Sequence, residues 1–420
     1  MQLKVLKGMK DILPGVSDIW QRIEARMRDY AKLYGYSEIR TPILERTELF
    51  ARGVGDTTDI VQKEMYTFVD KGKRSVTLKP EGTAGTARAF LEGGLYAETL
   101  PCKLYYLNAP IFRYEAPQSG RLREHHQFGM ECFGTQDPSC DAEIISLVYQ
   151  LLSSFGLKNL KVSLNSIGCP KCRPHYTQHL KAFLEDKRTQ LCEDCNNRLE
   201  KNPLRILDCK VESCQAAIQD APKTIDFLCE ECATHFSVLR SYLDAINIPY
   251  TVNPKIVRGL DYYTKTVFEF VQETDAGLLT VCGGGRYDNL LKELGGPDMP
   301  AVGFGLGLER LIMLMEHEEY RREAAPDIYV ANIGKEDLLL SYQVVQNLRS
   351  QHIKAEMDHS ARSLKAQFKF ANKIDARFIL MVGGEELERG VFKIRNLETR
   401  EEFEVSKDDY ISTIKEIIER

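Results

Sequence analysis

The sequence predicts an α+β fold: an antiparallel-sheet domain that is interrupted by a small cysteine-rich insertion and followed by a C-terminal α/β domain. Three observations lead to this prediction. Residues 103–114 and 126–133 alternate apolar and polar side chains on either side of a turn, as a long hairpin does. Eight of the twelve cysteines lie within residues 169–232. From residue 326 onward, strand and helix patterns alternate.

The composition is that of an ordinary globular protein, with 43% hydrophobic residues, 28% charged residues and a formal net charge of -5 at pH 7. A net negative chain is not drawn to nucleic acid as a whole, so such binding has to come from local basic patches. The N-terminal segment lacks the apolar core of a secretory signal, and no run of about 18 apolar residues occurs. We therefore expect a cytoplasmic protein with no membrane partner.

The first domain is expected to begin with a long amphipathic helix over residues 16–34, where apolar residues recur at helical spacing. Residues 36–45 predict a strand that is broken by Pro42, which suits a sheet edge or an interface because proline lacks the ladder donor. Residues 52–63 are polar and glycine-rich and are predicted to form a loop. Residues 65–78 predict a second hairpin.

A short polar segment, Glu81-Gly82-Thr83, separates this hairpin from a predicted helix at residues 84–91. A carboxylate and a hydroxyl at a strand-to-helix junction can contact a small cationic ligand. The same residue types also cap helix N-termini. The sequence leaves both interpretations open.

The bend of the long hairpin carries an unusual number of charged and amide side chains. Arginine offers a fixed fork of donors that suits phosphate or carboxylate, and acidic groups and amides can bind amino or ring donors. Charge on a hairpin is more often a solvated face. The residues concerned are Arg113, Glu115, Gln118, Arg121, Arg123, Glu124, His125, Gln127 and Glu131. A helix over residues 141–155 and a strand over 161–165 are predicted next.

Residues 167–250 are predicted to form the inserted domain, with three C-x2-C pairs and one C-x4-C pair. In a chain without an export signal such pairs favour a metal over disulfides, and tetrahedral thiolate sites suit structural zinc. The candidate ligands are Cys169, Cys172, Cys192, Cys195, Cys209, Cys214, Cys229 and Cys232. Eight ligands allow two zinc sites, but the spacing does not show which cysteines combine. The alternative is a cluster of reduced thiols.

The first domain is expected to resume after the insertion. RGLDYYTKTVFEF ends in strand-like alternation, and LLTVCGGGRYDNLL runs from a strand through three glycines into a helix. Such glycines serve a close approach to a ligand or, more often, a tight turn. In PAVGFGLGLERLIMLM, Glu309 and Arg310 enter an otherwise apolar helix, where charged residues are paired or face a ligand. Arg310 is therefore a candidate phosphate-binding residue.

The C-terminal segment predicts a small α/β domain with mostly parallel strand pairing. Basic residues recur three or four apart along its predicted helix at residues 364–373 and just before it. They are Arg362, Lys365, Lys369 and Lys373. Such a stripe can contact an RNA backbone, although solvated lysines are the commoner explanation.

Five segments of the chain resemble the motifs of one enzyme family. YSEIRTPILE resembles motif 1 of class II aminoacyl-tRNA synthetases, FRYE with HQFGMECFG resembles motif 2, and GFGLGLERL resembles motif 3. RGLDYYTKTVFEF and GGGRYDNL are similar to the two histidine-specific signatures. In this order and over essentially the whole length, the chain resembles the histidyl-tRNA synthetase family.

The resemblance implies a homodimer that has a six-stranded antiparallel catalytic sheet and an anticodon-binding domain. The implied reaction joins L-histidine to histidine tRNA through a histidyl-adenylate, with ATP and its Mg ion as a substrate. It needs no protein nucleophile, only cationic stabilisation of the phosphate and strict positioning. The implied domains are 1–166 for the first catalytic part, 167–250 for the insertion, 251–322 for the second catalytic part and 326–420 for the anticodon-binding domain.

The resemblance also implies site residues. Arg113 and Arg258 are the catalytic cations on the α-phosphate, and Arg310 contacts the γ-phosphate. The implied ATP-binding set is Arg113, Glu115, Arg121, His125 and Arg310. The implied histidine-binding set is Glu81, Gly82, Thr83, Gln127, Glu131, Arg258, Tyr262 and Tyr263. In that set Glu131 and Tyr263 meet the two imidazole nitrogens, which a carboxylate and a phenol can bind together.

The sequence departs from the family pattern at three places. His125 stands where an aromatic ring often stacks on adenine, a role that imidazole can also fill. Ala116 stands where an arginine often reads the tRNA acceptor end, which leaves that task to Gln118 and Arg123. The eight cysteines are absent from typical members, so the metal hypothesis rests on their spacing alone.

Two other functions fit parts of the chain. A non-catalytic, histidine-sensing regulatory paralogue, like the regulatory subunit of ATP phosphoribosyltransferase, shares the fold. Such proteins usually lack the anticodon-binding domain and the catalytic arginines, whereas this chain has Arg113, Arg258 and Arg310. A zinc-ribbon nucleic-acid binder explains only the insertion.

Overall fold

The computed structural model describes residues 3–55, 58–117, 120–274, 277–315, 325–360 and 362–419. The chain divides into two compact units, Met1–Leu13 with Ile19–Glu316 and Pro14–Asp18 with His317–Arg420. Within the described ranges, no helix has the length and apolar character needed to cross a bilayer.

The first unit is built on eleven strands. In chain order they are β1 Ser37–Glu38, β2 Leu44–Arg46, β3 Thr67–Val69, β4 Ser75–Leu78, β5 Cys102–Phe112, β6 Glu124–Phe133, β7 Lys161–Ser166, β8 Tyr250–Val252, β9 Thr264–Thr274, β10 Gly277–Arg286 and β11 Ala301–Gly307. Eight of them form one sheet in the order β1-β5-β6-β11-β10-β9-β7-β8, and β2-β4-β3 form a small second sheet.

The large sheet has an antiparallel centre of six strands, β5-β6-β11-β10-β9-β7. A short strand is added in parallel at each edge, β1 beside β5 and β8 beside β7. The six-stranded antiparallel sheet implied by the resemblance is thus present and is extended by two edge strands. Both predicted hairpins are confirmed, since β5 pairs with β6 and β3 with β4.

The two faces of the large sheet carry different side chains, apolar on one face and polar or glycine on the other. Phe128 and Met130 of β6 and Phe304 of β11 are buried in the core that the helices cover. Successive side chains of a strand point to opposite faces. The intervening residues of β6, Gln127 and Glu131, therefore lie on the other face, together with the alternating glycines of β11.

Ten helices accompany these strands in the described part of the chain up to residue 315. They are α1 Val16–Leu33, α2 Thr47–Phe50, α3 Thr83–Glu92, α4 Pro138–Ser154, α5 Arg173–Glu185, α6 Glu193–Lys201, α7 Glu212–Ala217, α8 Glu230–Ala245, α9 Leu290–Glu293 and α10 Leu308–Leu314. The start of α4 follows from its sequence. The Asp137 carboxylate accepts a hydrogen bond from the Ser139 N–H, and Pro138 has no N–H that would need an acceptor in the first turn. Leu147 and Leu151 of α4 pack against the sheet with Trp20 of α1.

The prediction of a loop over residues 52–63 is wrong. The chain there forms two π-helical turns, Ala51–Gly55 and Ile60–Glu64. Val54 is fully buried and Ile60 is 4% exposed, and both pack in one apolar cluster with Phe50. Two buried apolar side chains in a polar segment are enough to stabilise helical turns, and their spacing is too sparse to be recognised as a periodic pattern.

The insertion is helical and has a hydrophobic core of its own. Leu180 and Leu184 of α5, Leu199 of α6 and Ile206 are fully buried there. A 3-10 helical segment, Pro203–Asp208, joins α6 to α7. The insertion belongs to the same compact unit as the large sheet.

The second unit contains a five-stranded sheet with helices. Its elements are β12 Ile328–Asn332, α11 Leu338–Ser350, β13 Ala355–Met357, α12 Leu364–Lys373, β14 Phe378–Val382, α13 Gly384–Glu388, β15 Val391–Asn396, β16 Glu402–Ser406 and α14 Tyr410–Glu419. The strand order is β13-β12-β14-β15-β16. The alternation of strands and helices is as predicted.

The prediction of mostly parallel pairing in this second sheet is wrong. β12 pairs in parallel with β13 and β14, whereas β14–β15 and β15–β16 are antiparallel. The helices α11 and α12 provide the long crossovers that parallel strands need. β15 and β16 are instead joined by a tight turn in which Asn396 N–H donates to Glu401 O over 2.9 Å, and such a turn permits only antiparallel pairing.

Candidate active site

A cleft of about 640 Å³ opens on the glycine-bearing face of the large sheet. Four arginines line it, namely Arg113, Arg121, Arg258 and Arg310. They come from four separate segments: the end of β5, the hairpin bend, the loop before β9, and α10. Several guanidinium groups around one concave space create a positive potential that suits a polyanionic ligand.

Two of these guanidinium groups are anchored by main-chain carbonyls. Arg113 Nε donates to Pro80 O over 2.8 Å, and Arg310 Nη1 donates to Thr280 O over 2.6 Å. Burial lowers the pKa of both arginines. An arginine remains charged at neutral pH after such a shift, so both are oriented cations.

Arg258 lies against β10 and forms an ion pair with Glu269 of β9. Burial alone would lower its pKa, but Glu269 and Tyr263 outweigh burial and raise the pKa above its usual value. A Cβ atom at Gly283 would collide with the guanidinium of Arg258. The three consecutive glycines therefore lie inside a strand rather than in the turn that the sequence favoured, and one of them makes room for this arginine.

The hairpin contributes a neutral imidazole and a carboxylate to the same cleft. Burial, assisted by the charge of Arg113, lowers the pKa of His125 to about 3, so its imidazole is uncharged at neutral pH. Glu115 pairs with Arg121, with 2.6 Å between Oε2 and Nε. Gln127 also lines the cleft. A neutral ring beside paired charges is compatible with stacking on a flat heterocycle.

Beside the cleft lies a buried polar network centred on Glu131, which is fully buried. Three hydroxyl groups donate to its carboxylate: Thr83 over 2.7 Å, Tyr106 over 3.3 Å, and Tyr287. Burial raises the pKa of Glu131 to about 8, although the hydroxyl groups oppose this shift. Within the described residues, hydroxyl groups rather than cations therefore hold this carboxyl group.

Glu81 is bound to the start of α3. Its two carboxylate oxygens accept hydrogen bonds from the Thr83 and Ala84 N–H groups over 2.7 and 2.8 Å. Tyr262 O–H donates to the same carboxylate over 3.4 Å. Of the two interpretations left open by the sequence, helix capping is observed, and the contact with Tyr262 ties Glu81 to the loop that carries Arg258.

The predicted site residues thus fall into three groups. Seven of them line the cleft: Arg113, Glu115, Arg121, His125, Gln127, Arg258 and Arg310. Six lie buried beside it: Glu81, Gly82, Thr83, Glu131, Tyr262 and Tyr263. Two are apart. Arg123 stacks on the Tyr114 ring at 4.0 Å and its Nε donates to Glu115 O over 3.1 Å, whereas Gln118 lies outside the described residues.

Sequence reasoning missed several residues of this region. Tyr106 and Tyr287 hold Glu131, Glu269 holds Arg258, and Asp208 and Lys210 of the insertion line the cleft. One of them had a signal in the sequence, because Glu269 is the single charged residue within the apolar run VFEFV. Tyr287 stands in the segment GGGRYDNL, whereas Tyr106, Asp208 and Lys210 look like ordinary strand or surface residues until the chain is folded.

The structure resolves which cysteines combine. Cys169, Cys172, Cys229 and Cys232 form one group, called here the outer cluster, and Cys192, Cys195, Cys209 and Cys214 form the inner cluster. Within each cluster the four sulfur atoms lie within 4.8 Å of one another. The Cys169 sulfur is 3.8 Å from those of Cys172 and Cys229. A disulfide needs about 2 Å, so these cysteines are separate thiols gathered around a common point.

Two family models match the chain. The model of histidyl-tRNA synthetase matches residues 8–311, and a model of an anticodon binding domain matches residues 327–417. The histidine–tRNA ligase of Caldanaerobacter subterraneus subsp. tengcongensis is 52% identical over 417 residues, which cover 99% of this chain and 100% of that protein. The chain belongs to the histidyl-tRNA synthetase family.

Solved structures agree with this membership. The apo histidyl-tRNA synthetase of S. aureus is 37% identical, with a TM-score of 0.84 over 99% of this chain and 100% of that one. A Bacillus halodurans structure described as an ATP phosphoribosyltransferase regulatory subunit/histidyl-tRNA synthetase is 22% identical, with a TM-score of 0.62 over 88% of this chain and 97% of that chain. The second likeness shows the fold alone.

In this histidyl-tRNA synthetase fold, motifs 2 and 3 both line the cleft. Motif 1 forms β1 and β2, motif 2 forms the β5–β6 hairpin, and motif 3 forms β11 and α10. The histidine-specific segments form the loop of Arg258 together with β9 and β10. The family resemblance inferred from these motifs is confirmed.

Proposed function

We propose that this protein ligates L-histidine to histidine tRNA in the cytoplasm, through a histidyl-adenylate intermediate. The observation that carries the proposal is the convergence of four guanidinium groups on a cleft beside a sealed carboxyl site, in a chain of the histidyl-tRNA synthetase family. The cations suit the phosphates of ATP, and the sealed network suits a small polar amino acid.

In the proposed first step, a carboxylate oxygen of histidine attacks the α-phosphate of ATP, the bond to the β-phosphate breaks, and pyrophosphate leaves. Arg113 and Arg258 stabilise the negative charge on the α-phosphate, and Arg310 binds the γ-phosphate. Glu115 and Arg121 complete the ATP site, and His125 stacks on adenine. ATP enters as its Mg complex. In the second step the terminal ribose hydroxyl of the tRNA attacks the histidyl carbonyl, and AMP leaves.

The proposed histidine pocket uses the network around Glu131. Glu131 and Tyr263 bind the two imidazole nitrogens, with Tyr262 beside them, and Glu81, Thr83 and Gln127 bind the α-amino group. Gly82 leaves room for the ring of Tyr106, which a Cβ atom there would strike. Buried polar partners discriminate strongly against analogues that lack the matching groups, because such analogues leave those partners unpaired.

The test of this function is amino-acid-dependent exchange of pyrophosphate into ATP, run with each of the twenty amino acids. We expect exchange with histidine only, and none with Arg258→Ala. Arg240→Ala is the matched control, because Arg240 is exposed on α8 and bonds Tyr250 away from the cleft. Histidine binding without any exchange would instead favour the regulatory, non-catalytic alternative.

We further propose that each cysteine cluster holds one structural zinc ion. Zinc–thiolate bonds of about 2.3 Å in a tetrahedron hold the sulfur atoms roughly 3.8 Å apart. The Cys192 and Cys209 sulfurs are 3.9 Å apart, and so are those of Cys172 and Cys232. The Cys172 and Cys214 sulfurs also accept N–H hydrogen bonds over 3.2 and 3.1 Å, as metal-bound thiolates commonly do.

Metal analysis of the full-length protein tests the zinc proposal. We expect two zinc ions per chain, and about one in either Cys172→Ser or Cys195→Ser. Cys102→Ser is the control, because Cys102 belongs to neither cluster. Unchanged zinc in both variants would contradict the proposal.

A homodimer and a tRNA-binding C-terminal domain complete the proposed function. The small β2-β4-β3 sheet exposes apolar side chains that a second copy would cover: Ile43 is 45% exposed, Leu44 46%, Phe68 48% and Val69 69%. We expect Phe68→Asp to yield monomers in sedimentation velocity, whereas Val211→Asp on the insertion leaves the dimer intact.

The proposed domains are 1–166 and 251–322 for catalysis, 167–250 for the insertion and 326–420 for anticodon binding. Arg123 and Gln118 are proposed to contact the acceptor end of the tRNA.

A further inference from the structure

One segment of the insertion, residues 202–210, belongs to the metal cluster and to the cleft at the same time. Asp208 and Lys210 line the cleft together with the catalytic arginines. Cys209 stands between them, is 5% exposed, and belongs to the inner cluster. A ligand bond at Cys209 therefore fixes the backbone of two cleft residues directly.

The other end of this segment is tied to the catalytic loop. Asn202 Nδ2 donates to Asp261 Oδ1 over 2.9 Å. Asp261 lies between Arg258 and Tyr262 in sequence, so this bond braces the loop that carries the proposed catalytic cation. Arg205 approaches Asp59 at 3.5 Å, and Arg198 of α6 reaches the same carboxylate at 2.8 Å. The segment thus spans from the catalytic loop to the inner cluster.

Cations outnumber carboxylates where this segment meets the catalytic part. A smaller cavity of about 190 Å³ is lined by arginines from both sides, Arg198 and Arg205 from the insertion and Arg113, Arg121 and Arg258 from the catalytic part, and by three carboxylates, Asp59, Glu64 and Asp208. Like charges at such distances repel, and they do so more strongly where water is scarce. Asp59 offsets part of this repulsion through its ion pairs with Arg198 and Arg205, and a further restraint on the segment would hold Arg205 in place before an anion arrives.

The regular secondary structure does not supply that restraint. Residues 203–208 form only short 3-10 turns, whose hydrogen bonds are weaker than those of an α-helix. Ile206 and Leu207 are buried in the insertion core, and Cys195, Cys209 and Cys214 belong to that same core. A metal bound by these thiolates would therefore be the strongest link between the segment and the rest of the insertion.

We infer that the inner cluster, when it holds a metal, is a positioning element for ATP binding: it fixes residues 202–210 so that Lys210 and Arg205 face the phosphates and Asn202 braces the Arg258 loop. The inference rests on the proposed zinc site and on the proposed ATP-dependent function. It separates the two clusters. The outer cluster also contacts the Arg258 loop, since Arg173 Nη2 donates to Tyr263 O over 2.5 Å, but none of its four cysteines or their sequence neighbours lines the cleft.

The first test compares the two clusters in the full-length protein. Cys195→Ser and Cys172→Ser each remove one ligand, and binding of a non-hydrolysable ATP analogue is measured by titration calorimetry with zinc content determined on the same samples. We expect the inner variant to bind the analogue about 10-fold more weakly. We expect the outer variant to stay within about twofold of wild type.

The second test keeps the metal and removes the contacts. Asn202→Ala and Lys210→Ala leave all eight cysteines in place, so zinc content should not change, while affinity for the analogue should fall by about three- to tenfold. Lys181→Ala is the matched control. Lys181 pairs with Glu200 over 2.7 Å on the insertion surface, as Lys210 pairs with Asp208, but it does not line the cleft.

The outcomes separate this inference from the proposed function. Equal losses in Cys195→Ser and Cys172→Ser would show a general folding role of the metals and would overturn it. Wild-type affinity in both Asn202→Ala and Lys210→Ala, or a wild-type inner cluster without metal, would overturn it as well. Binding of the ATP analogue is measured without histidine or tRNA, so a protein that fails to activate histidine still gives an answer.

Discussion

The cleft and the buried network lie on one face of one sheet, yet they handle charge in opposite ways. In the cleft, arginines are paired with carboxylates that line the same space, as Arg258 is with Glu269 and Arg121 with Glu115. In the network, Glu131 is fully buried, and its partners in the described part of the chain are hydroxyl groups rather than cations. β6 supplies both regions, with Gln127 in the cleft and Glu131 four residues further on in the network.

The difference fits the ligand that is proposed for each region. Arginines that are paired with carboxylates can exchange those partners for the phosphates of a polyanion. Such an exchange requires a cleft that is open to solvent. A small polar ligand is best discriminated in a dry site where every polar group needs a partner. The contrast predicts that ATP and histidine binding can be damaged separately.

The largest expected effect is that of Arg113→Ala. The variant loses the cation proposed to stabilise the α-phosphate, and we expect histidine-dependent pyrophosphate exchange to fall by about 100- to 1000-fold. Equilibrium binding of histidine, measured by calorimetry, should remain close to that of wild type. A parallel loss of histidine binding would show that the two regions are not separable.

Gly283→Ala is expected to have the next largest effect. The added methyl group would displace the Arg258 guanidinium, and we expect exchange to fall by about 100-fold, since misplacement by roughly 1 Å can cost that much. Gly85→Ala is the control, because a Cβ atom there meets nothing closer than 3.5 Å. Normal activity of Gly283→Ala would remove the steric argument for the three consecutive glycines.

Glu131→Gln tests the other side of the comparison. The amide offers one neutral acceptor oxygen in place of two carboxylate oxygens, and its NH2 group faces hydroxyl donors, so we expect KM for histidine to rise by about 10-fold or more, with KM for ATP unchanged. Glu273→Gln is the control, since Glu273 pairs with Lys161 on the surface at 2.9 Å. A rise in KM for ATP alone would contradict the proposed division.

The smallest expected effect is on stability against pH. The pKa of Glu131 is raised by burial to about 8, so folding favours its protonated form. That contribution is fully present below the ordinary glutamate pKa and is lost as pH rises through about 8. Glu131→Gln lacks this dependence. We expect its Tm relative to wild type to increase by at least about 2 °C between pH 5 and pH 8.5, and a constant difference would place the pKa near its ordinary value.

Much of the fold was predictable because local pattern and final packing agree. The hairpin of β5 and β6 followed from alternation, and α12 and β14 begin and end where their patterns do. Prediction failed where tertiary contacts decide. Val54 and Ile60 turn a polar segment into helical turns by burial, and the tight turn between β15 and β16 reverses the strand direction that helix crossovers would give.

The site divides in the same way. The arginines of the cleft were recognisable because each stands in a motif, whereas Tyr106 looks like an ordinary strand residue until it meets Glu131. Tyr287 stands in the segment GGGRYDNL, but its contact with Glu131 is visible only in the fold. Cysteine spacing indicated metal binding but gave no pairing, because ligands distant in sequence are brought together only by the folded insertion. Asp208 and Lys210 carry no signal at all, since they reach the cleft through the position of Cys209.

The sequence positions of the two clusters imply an order of assembly. All four inner cysteines lie between Cys172 and Cys229, so the inner site closes a short loop and the outer site a much longer one. Shorter loops cost less chain entropy to close. During synthesis the inner site is also complete before Cys229 and Cys232 have been added to the chain. We therefore expect the inner cluster to assemble first and the outer cluster second, with the attachment of the insertion to the large sheet formed last.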